Sequence, residues 1–188
     1  MGRWEPDASA RLRQAAMELF VQQGFEQTTV ADIARAAGLT SRTFFRYFAD
    51  KREVLFGGAT ALENHLVEAL ADAPGTASPM EAIAVALDSA AEVLTDRHWS
   101  AQRQSVIAAN AELRERELIK MASLSEALAH GLLQRDIADA EARLAAEAGV
   151  AVFRVAFERW VAQAGNQGLS EVLRESFAQL RALAAEPN

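Results

Sequence analysis

The sequence predicts an all-α protein of about nine helices, and three observations carry that prediction. Hydrophobic residues make up 51% of the 188 residues, Ala is abundant, and there are only ten Gly and four Pro. That is a composition of helix formers with few breakers. Runs of β-branched residues are absent, and apolar residues recur three and four apart in successive windows. The length suffices to bury a core and to hold one or two small domains. With no cysteine there is no disulfide, thiolate metal site or thiol nucleophile. No uninterrupted apolar stretch is long enough for a bilayer span, and the N-terminus lacks a signal-peptide pattern, so a cytoplasmic protein with no membrane partner is expected.

In the first nine residues Asp7 or Ser9 can start a helix, and Arg3, Arg11 and Arg13 make this end basic. Arg11 and Arg13 read equally as a solvated face or as phosphate contacts. The first helix is expected from Ala8 to Gln23, with Leu12, Ala15, Ala16, Leu19 and Phe20 forming its apolar stripe. Gly24 ends it and Phe25 folds back on the core. Thr29 caps a second, short helix, and Thr29-x-x-Asp32 fits a capping box with Asp in place of Glu or Gln. Gly38 suits the left-handed position that ends that helix, and Leu39 plugs the core. Thr40 then caps a third helix, about Ser41 to Phe48, whose Phe44 and Phe48 lie four apart and face inward. A core of Leu19, Phe20, Phe25, Ile33, Phe44 and Phe48 follows. The opposite face shows Ser41, Arg42, Thr43, Phe45 and Arg46. A short exposed helix with hydroxyls and two arginines suits a DNA major groove.

The run Thr29-Val30-x-Asp32-Ile33-Ala34-x-x-Ala37-Gly38, then Thr43-Phe44-Phe45-Arg46-Tyr47-Phe48 and Lys51, resembles the DNA-binding domain of the TetR family of transcriptional repressors. Order and spacing match over roughly the first fifty-five residues without a gap. The resemblance implies a helix-turn-helix DNA-binding domain at 1–50 and a ligand-binding and dimerisation domain at 51–188. The residues expected at a double-stranded DNA operator are Thr29, Thr40, Ser41, Arg42, Thr43, Phe45, Arg46, Tyr47 and Lys51. Two departures stand out: Phe45 where the family often has Tyr, and Arg46 where it often has His. Charge is divided accordingly. Residues 1–56 hold eight Lys/Arg and seven Asp/Glu, the remainder eleven and nineteen, and the net charge is −7. A nearly neutral reader on an acidic body fits specific DNA binding with modest non-specific affinity.

Asp50 caps a fourth helix, Lys51 to about Ala71, with Val54, Leu55, Leu62, Leu66 and Leu70 inward. Lys51 in its first turn lies beside exposed amides, where phosphate binds well. Gly57-Gly58 within it reads as close packing or an irregular turn, with a hinge as the sharper alternative. The division between reader and body is expected inside this helix. Ala73–Ala77 is a loop. Ser78-Pro79-x-Glu81 is a strong helix start for a fifth helix to about Leu94. The pattern is interrupted around Arg97-His98-Trp99. A sixth helix is expected from Ser100 to Ala109, and a seventh, capped by Asn110, to about Gln134. The eighth is expected from Ala140 to Ala164, and the ninth, capped by Ser170, to about Ala185.

The C-terminal half holds the candidate ligand residues. Phe153, Phe157 and Trp160 lie at helical spacing, a stripe that reads first as core or subunit interface and second as pocket wall. Trp99, at the helix break, and Met121 could line a cavity between helices. Arg103, Arg114, Arg116 and Lys120 form a basic run, read either as a solvated face paired with Glu112, Glu115 and Glu117 or as a site for an anionic head group. His65, His98 and His130 lack a paired ligand spacing, so no metal is expected. No nucleophile elbow and no phosphate loop is present, so neither an enzyme nor a cofactor is expected.

The segment Trp99-x-x-x-Arg103-x-x-x-Ile107-Ala108-Ala109-Asn110, then Leu113-Arg114-x-Arg116-Glu117-x-x-Lys120, resembles the branch of that family with acyl-CoA-like ligands, related to the mycofactocin regulator. It implies a ligand-responsive repressor and a homodimer whose last two helices form a four-helix bundle. An acyl-CoA-like or other small hydrophobic effector would touch Trp99, Arg103, Met121, Phe153 and Phe157. In the alternative reading the protein is a ligand-independent helical DNA-binding or interaction protein.

Overall fold

The computed structural model describes residues 8–163 and 165–185. Arg3, the Asp7 helix start and the Ala164 helix end lie outside the described residues. Those residues form eleven helices and no strand: α1 Ala8–Gln23, α2 Val30–Ala36, α3 Ser41–Tyr47, α4 Glu53–Phe56, α5 Ala59–Ala71, α6 Pro79–Asp88, α7 Ala90–Val93, α8 Arg97–Ala109, α9 Ala111–Leu133, α10 Asp139–Ala162 and α11 Leu169–Ala185. Two are single turns. Joining α4 to α5 and α6 to α7 leaves the nine helices read from the sequence.

The chain forms two compact units. One runs up to Gly58 and takes in Gln102–Glu117; the other holds Ala59–Ala101 and the chain from Leu118 on. The units therefore do not follow a division at residue 50, because residues 51–58 and one stretch each of α8 and α9 pack with the N-terminal helices. The boundary falls at the Gly57-Gly58 interruption, where α4 stops and α5 begins. Gly57 also meets a neighbour closely: a Cβ there would lie 3.0 Å from Cε1 of Phe48.

In the first unit α1 packs on α2, α3 and α4. Leu12, Met17, Phe20, Phe25, Ile33, Phe44 and Phe48 are buried, and Phe20 meets Phe25 at 5.1 Å between ring centroids. Leu19, expected in this core, is only half-buried, and Met17 takes the place at its centre. Gly24 (φ 87°) and Gly38 (φ 66°) are in the left-handed region, where a Cβ is disfavoured. The turn after α2 closes with Leu39 N–H donating to the Ala34 carbonyl at 2.8 Å and Gly38 N–H to that of Arg35 at 3.0 Å. Arg11 settles on this turn and donates to the Ala37 carbonyl.

In the second unit α10 packs on α6 and α11, and α5 on α6. The core joins Leu66 and Leu70, Ile83 and Leu87, Leu124, Leu128 and Leu132, then Val150, Phe153, Trp160, Leu173 and Phe177. The Ser78–Glu81 capping box forms as read, with Pro79 opening α6.

Three start signals differ from the sequence reading. Helix α8 begins at Arg97, because the Asp96 carboxylate accepts from Trp99 N–H at 2.9 Å; Trp99 therefore sits in a first turn, not at a break. Asn110 donates its side-chain amide back to the Val106 carbonyl at 2.7 Å, sealing the end of α8. The Ser170 hydroxyl donates to Asp88 at 2.6 Å and caps nothing.

Candidate nucleic-acid interface

Helix α3 is anchored by two rings and presents the rest. Phe44 is fully buried, Phe48 nearly so, and Phe45 is 58% exposed. Phe45 meets Phe44 edge-on at 5.5 Å. Ser41, Arg42, Arg46 and Tyr47 are exposed, and Thr43 is half-exposed. The Arg42 guanidinium and the Ser41 hydroxyl make no hydrogen bond or ion pair among the described residues. Arg46 is held beside Tyr47: its Nη2 donates to the phenol oxygen at 3.1 Å, and its guanidinium carbon lies 4.9 Å from the ring centroid. The phenol keeps its own proton for an external acceptor.

The threonines have local work. Thr29 Oγ1 accepts from Asp32 N–H at 3.1 Å and donates to the Asp32 carboxylate at 2.6 Å, completing the capping box. The Thr29 hydroxyl, backed by its backbone N–H, holds the Asp32 carboxyl below its usual range. Thr40 Oγ1 accepts from Thr43 N–H at 3.1 Å and shares a hydrogen bond with the Thr43 hydroxyl at 3.0 Å. These caps orient the start of each helix. An exposed cap hydroxyl keeps acceptor capacity but has one proton, and that of Thr29 is taken.

Lys51 differs from its sequence reading. It lies in the turn before α4, not in the first turn of a helix, and its ammonium is bound by backbone. Nζ donates to the carbonyls of Phe25 at 2.9 Å, Thr28 at 3.3 Å and Glu26 at 3.4 Å, and lies 4.2 Å from the Phe25 ring centroid. The helix start belongs to Asp50, whose carboxylate accepts from Arg52 and Glu53 N–H at 2.8 and 3.2 Å.

The candidate ligand residues divide between the units. Arg103 lies in the first, where it pairs with Glu117 at 3.0 Å and donates to the Leu55 carbonyl at 2.8 Å. Its guanidinium carbon lies 5.0 Å from the Phe56 centroid. Arg116 pairs with Glu53 at 2.6 Å, and Arg114 donates to the Ala108 carbonyl. Arg103, Arg114 and Arg116 are therefore engaged within the unit, and Arg103 on α8 and Arg116 on α9 use α4 partners that spacing along their own helices could not reveal. Trp99, Met121, Phe153 and Phe157 lie in the second unit. Phe153 is buried, and Met121 and Phe157 pack against the main core. Phe157 stacks obliquely between Phe153 at 6.1 Å and Trp160 at 5.8 Å. Among the described residues no group of three or more His, Asp or Glu is placed to hold a metal, and no helix is long and apolar enough to cross a membrane.

A capped helix-turn-helix with a solvent-facing second helix, followed by a helical body, defines the class as a helix-turn-helix regulator. Comparison with known proteins gives the particular family. Residues 12–56 match the family described as bacterial regulatory proteins, tetR family, and residues 77–185 match the MftR C-terminal domain. The chain belongs to the TetR family of transcriptional regulators. It is 41% identical over 73 residues, 39% of its length, to the HTH-type transcriptional regulator TcmR of Streptomyces glaucescens. It is 42% identical over 57 residues, 30% of its length, to MftR of Mycobacterium tuberculosis, named for regulation of mycofactocin biosynthesis. These matches cover 32% and 29% of the relatives, so the chain spans about a third of the length of the curated relatives it matches. In fold it is similar to Thermus thermophilus FadR, a TetR-family repressor solved with lauroyl-CoA, at 23% identity and a TM-score of 0.59, covering 96% of each chain.

Proposed function

We propose that this chain is a ligand-responsive repressor that binds a double-stranded operator as a homodimer. One observation carries the DNA reading: Arg42 and Ser41 open the exposed face of α3 with no partner among the described residues, on a helix fixed by Phe44 and Phe48. Arg42 reads a base edge, and Arg46 with Tyr47 meets the adjoining backbone; Thr29, Thr40, Thr43 and Phe45 border that surface. Selection of duplexes from a random library supplies the operator. On it, Arg42→Ala should lose about 1–3 kcal/mol and relax one position. Wild-type affinity in that variant would exclude this docking.

The release signal in this proposal is a small hydrophobic or acyl-CoA-like molecule whose tail lies in the second unit against Trp99, Met121, Phe153 and Phe157. Support comes from the aromatic stripe and from the likeness to a fold solved with lauroyl-CoA. Arg103 is left out of the head-group contacts, since Glu117 and Leu55 already engage it. Each buried CH₂ contributes about 0.8 kcal/mol, so lauroyl-CoA should displace operator DNA where free CoA does not. The ligand acts by binding better to the conformation that fits the operator worse. If no acyl chain from short to long displaces DNA, this ligand class is excluded.

A further inference from the structure

Within the first unit, the end of α1, the turn after it and one face of α8 enclose a groove of about 370 Å³. That is within the range of small-molecule sites, about 300–1,000 Å³. None of the readings above uses it. Its apolar part includes Val21, Val106 and Ala109 beside the largely buried Phe20 and Phe25. Its polar part includes Glu26, Gln27, Gln102 and Ser105, whose side chains make no hydrogen bond or ion pair among the described residues. Among the described residues Glu26 is the one charged residue in the wall, and no Lys or Arg lines it.

We propose that this groove is a second small-molecule site, in the DNA-binding unit itself, for a small aromatic cation. The chemistry selects the charge. The amide oxygens of Gln27 and Gln102 and the Glu26 carboxylate favour a cation; the buried Phe20 and Phe25 rings add no free face, since Lys51 already lies over Phe25. Among the described residues that line the groove an anion would meet one carboxylate and no Lys or Arg, and the nearby Lys51 ammonium is already engaged by the Phe25, Glu26 and Thr28 carbonyls. The aromatic part of the ligand rests on the apolar wall, and its donors meet Gln27 or Gln102.

The groove wall is also mechanically connected to the reading helices. The turn Gly24–Thr28 leads straight into Thr29, the cap of α2. Thr28 Oγ1 donates to the Gly24 carbonyl at 2.8 Å and accepts from the Gln23 amide at 3.2 Å, and Lys51 ties three carbonyls of the same segment. Occupancy of the groove therefore changes the setting of the α2 cap.

Three ligands of one shape and different charge test this: benzamidinium, benzamide and benzoate, titrated into the full chain and followed by ¹⁵N-resolved amide signals. Benzamidinium should give saturable shifts at the Gln27 and Gln102 side-chain amides and, with the same midpoint, at the Thr29 and Val30 backbone amides. Benzamide should bind about two- to fivefold more weakly, and benzoate not measurably. Glu26→Gln should erase the difference between benzamidinium and benzamide. Ser105→Trp, at an exposed position, should fill the groove and abolish both. No saturable benzamidinium shift, or benzoate binding equally well, overturns the site. Groove shifts without movement at Thr29 and Val30 overturn its link to α2.

Discussion

Lys51 ties three carbonyls of the Phe25–Thr28 turn with one ammonium, and Arg135 does the same for the end of α5. Arg135 donates to the carbonyls of Leu70, Ala73 and Pro74 at 3.1, 3.0 and 2.7 Å, in the last turn of α5 and the loop that follows it. Hydrogen bonds to a charged group contribute about 1.5–3 kcal/mol. Lys51→Met keeps the stem over Phe25 and removes the ammonium, so it should lower unfolding stability by about 1–2 kcal/mol. Denaturant melts check this; a variant as stable as wild type with weakened DNA binding would restore the phosphate role. The two capping carboxylates make a separate prediction. Asp32 is held below its usual range by Thr29, and Glu81 by the Ser78 backbone N–H and hydroxyl. A depressed carboxylate contributes stability above its unfolded value and loses it as pH falls through the folded value. The melting temperature should therefore drop below about pH 4, and less steeply in the Asp32→Asn, Glu81→Gln double variant. Equal slopes in the two proteins would remove this contribution. Both boxes were legible in the sequence, because a cap is a contact within four residues. The bonds of Lys51, Arg103 and Arg135 were not, because their partners are carbonyls or carboxylates 14 to 65 positions away.

Helix pairs in the second unit approach through glycine. A Cβ on Gly149 of α10 would lie 2.3 Å from Cγ2 of Ile83 on α6, and one on Gly131 of α9 would lie 2.6 Å from Cδ2 of Leu70 on α5. Helix propensity alone favours Ala over Gly by about 1 kcal/mol, but overpacking of a filled core costs about 1–3 kcal/mol. At Gly149 the clash is with a β-branched side chain locked in a packed interface, so the clash wins. Gly149→Ala should lower the melting temperature, and Ile83→Val or Ile83→Ala in that background should recover part of the loss. A stabilised Gly149→Ala would mean that α10 moves away from α6 at little cost. Sequence reading placed the helices well, since α1, α2 and α3 follow from periodicity, caps and Gly positions. It marked Gly57-Gly58 because two adjacent glycines interrupt a pattern. It passed over Gly149 because a lone Gly inside an amphipathic helix has no local signature; its reason lies on the facing helix. The start of α8 was missed for a related cause: Arg97-His98-Trp99 breaks the apolar period, while the deciding group is the Asp96 carboxylate.

The assembly of the whole molecule turns on which apolar residues remain uncovered. Helical spacing also marks two apolar stripes as a candidate subunit interface, Val152, Val155, Ala156 and Trp160 on α10 and Leu173, Phe177, Leu180 and Leu183 on α11. Most of these face inward: Val152, Ala156, Trp160, Leu173 and Phe177 are buried within the chain itself. Periodicity finds an apolar stripe but cannot say whether a helix of the same chain or of a second copy covers it. What stays exposed keeps Val155 and Leu183 from those stripes and adds Leu144 and Ala151. Leu144 is 72% exposed, Val155 52% and Leu183 69%, and Ala151 is also exposed. On α10, Leu144, Ala148, Ala151 and Val155 follow one another three and four apart, so they form one face. Apolar continuity of that kind on α10, with Leu183 on α11, supports the proposal that two copies pair through these helices in an isologous contact. The exposure also makes the proposal separable from stability. Val155→Glu with Ala151→Glu introduces charge at positions that are already exposed, so the melting temperature of the isolated chain should change little. Two like charges per copy on a shared two-fold face should instead abolish pairing. Sedimentation at micromolar concentration should show twice the chain mass for wild type and the single chain mass for the double variant. DNA affinity should fall with the loss of the second recognition helix, because a half-site carries roughly half of the contacts. A wild-type chain that sediments as a monomer, or a double variant that still pairs, would place the interface elsewhere and leave the helix-turn-helix assignment standing.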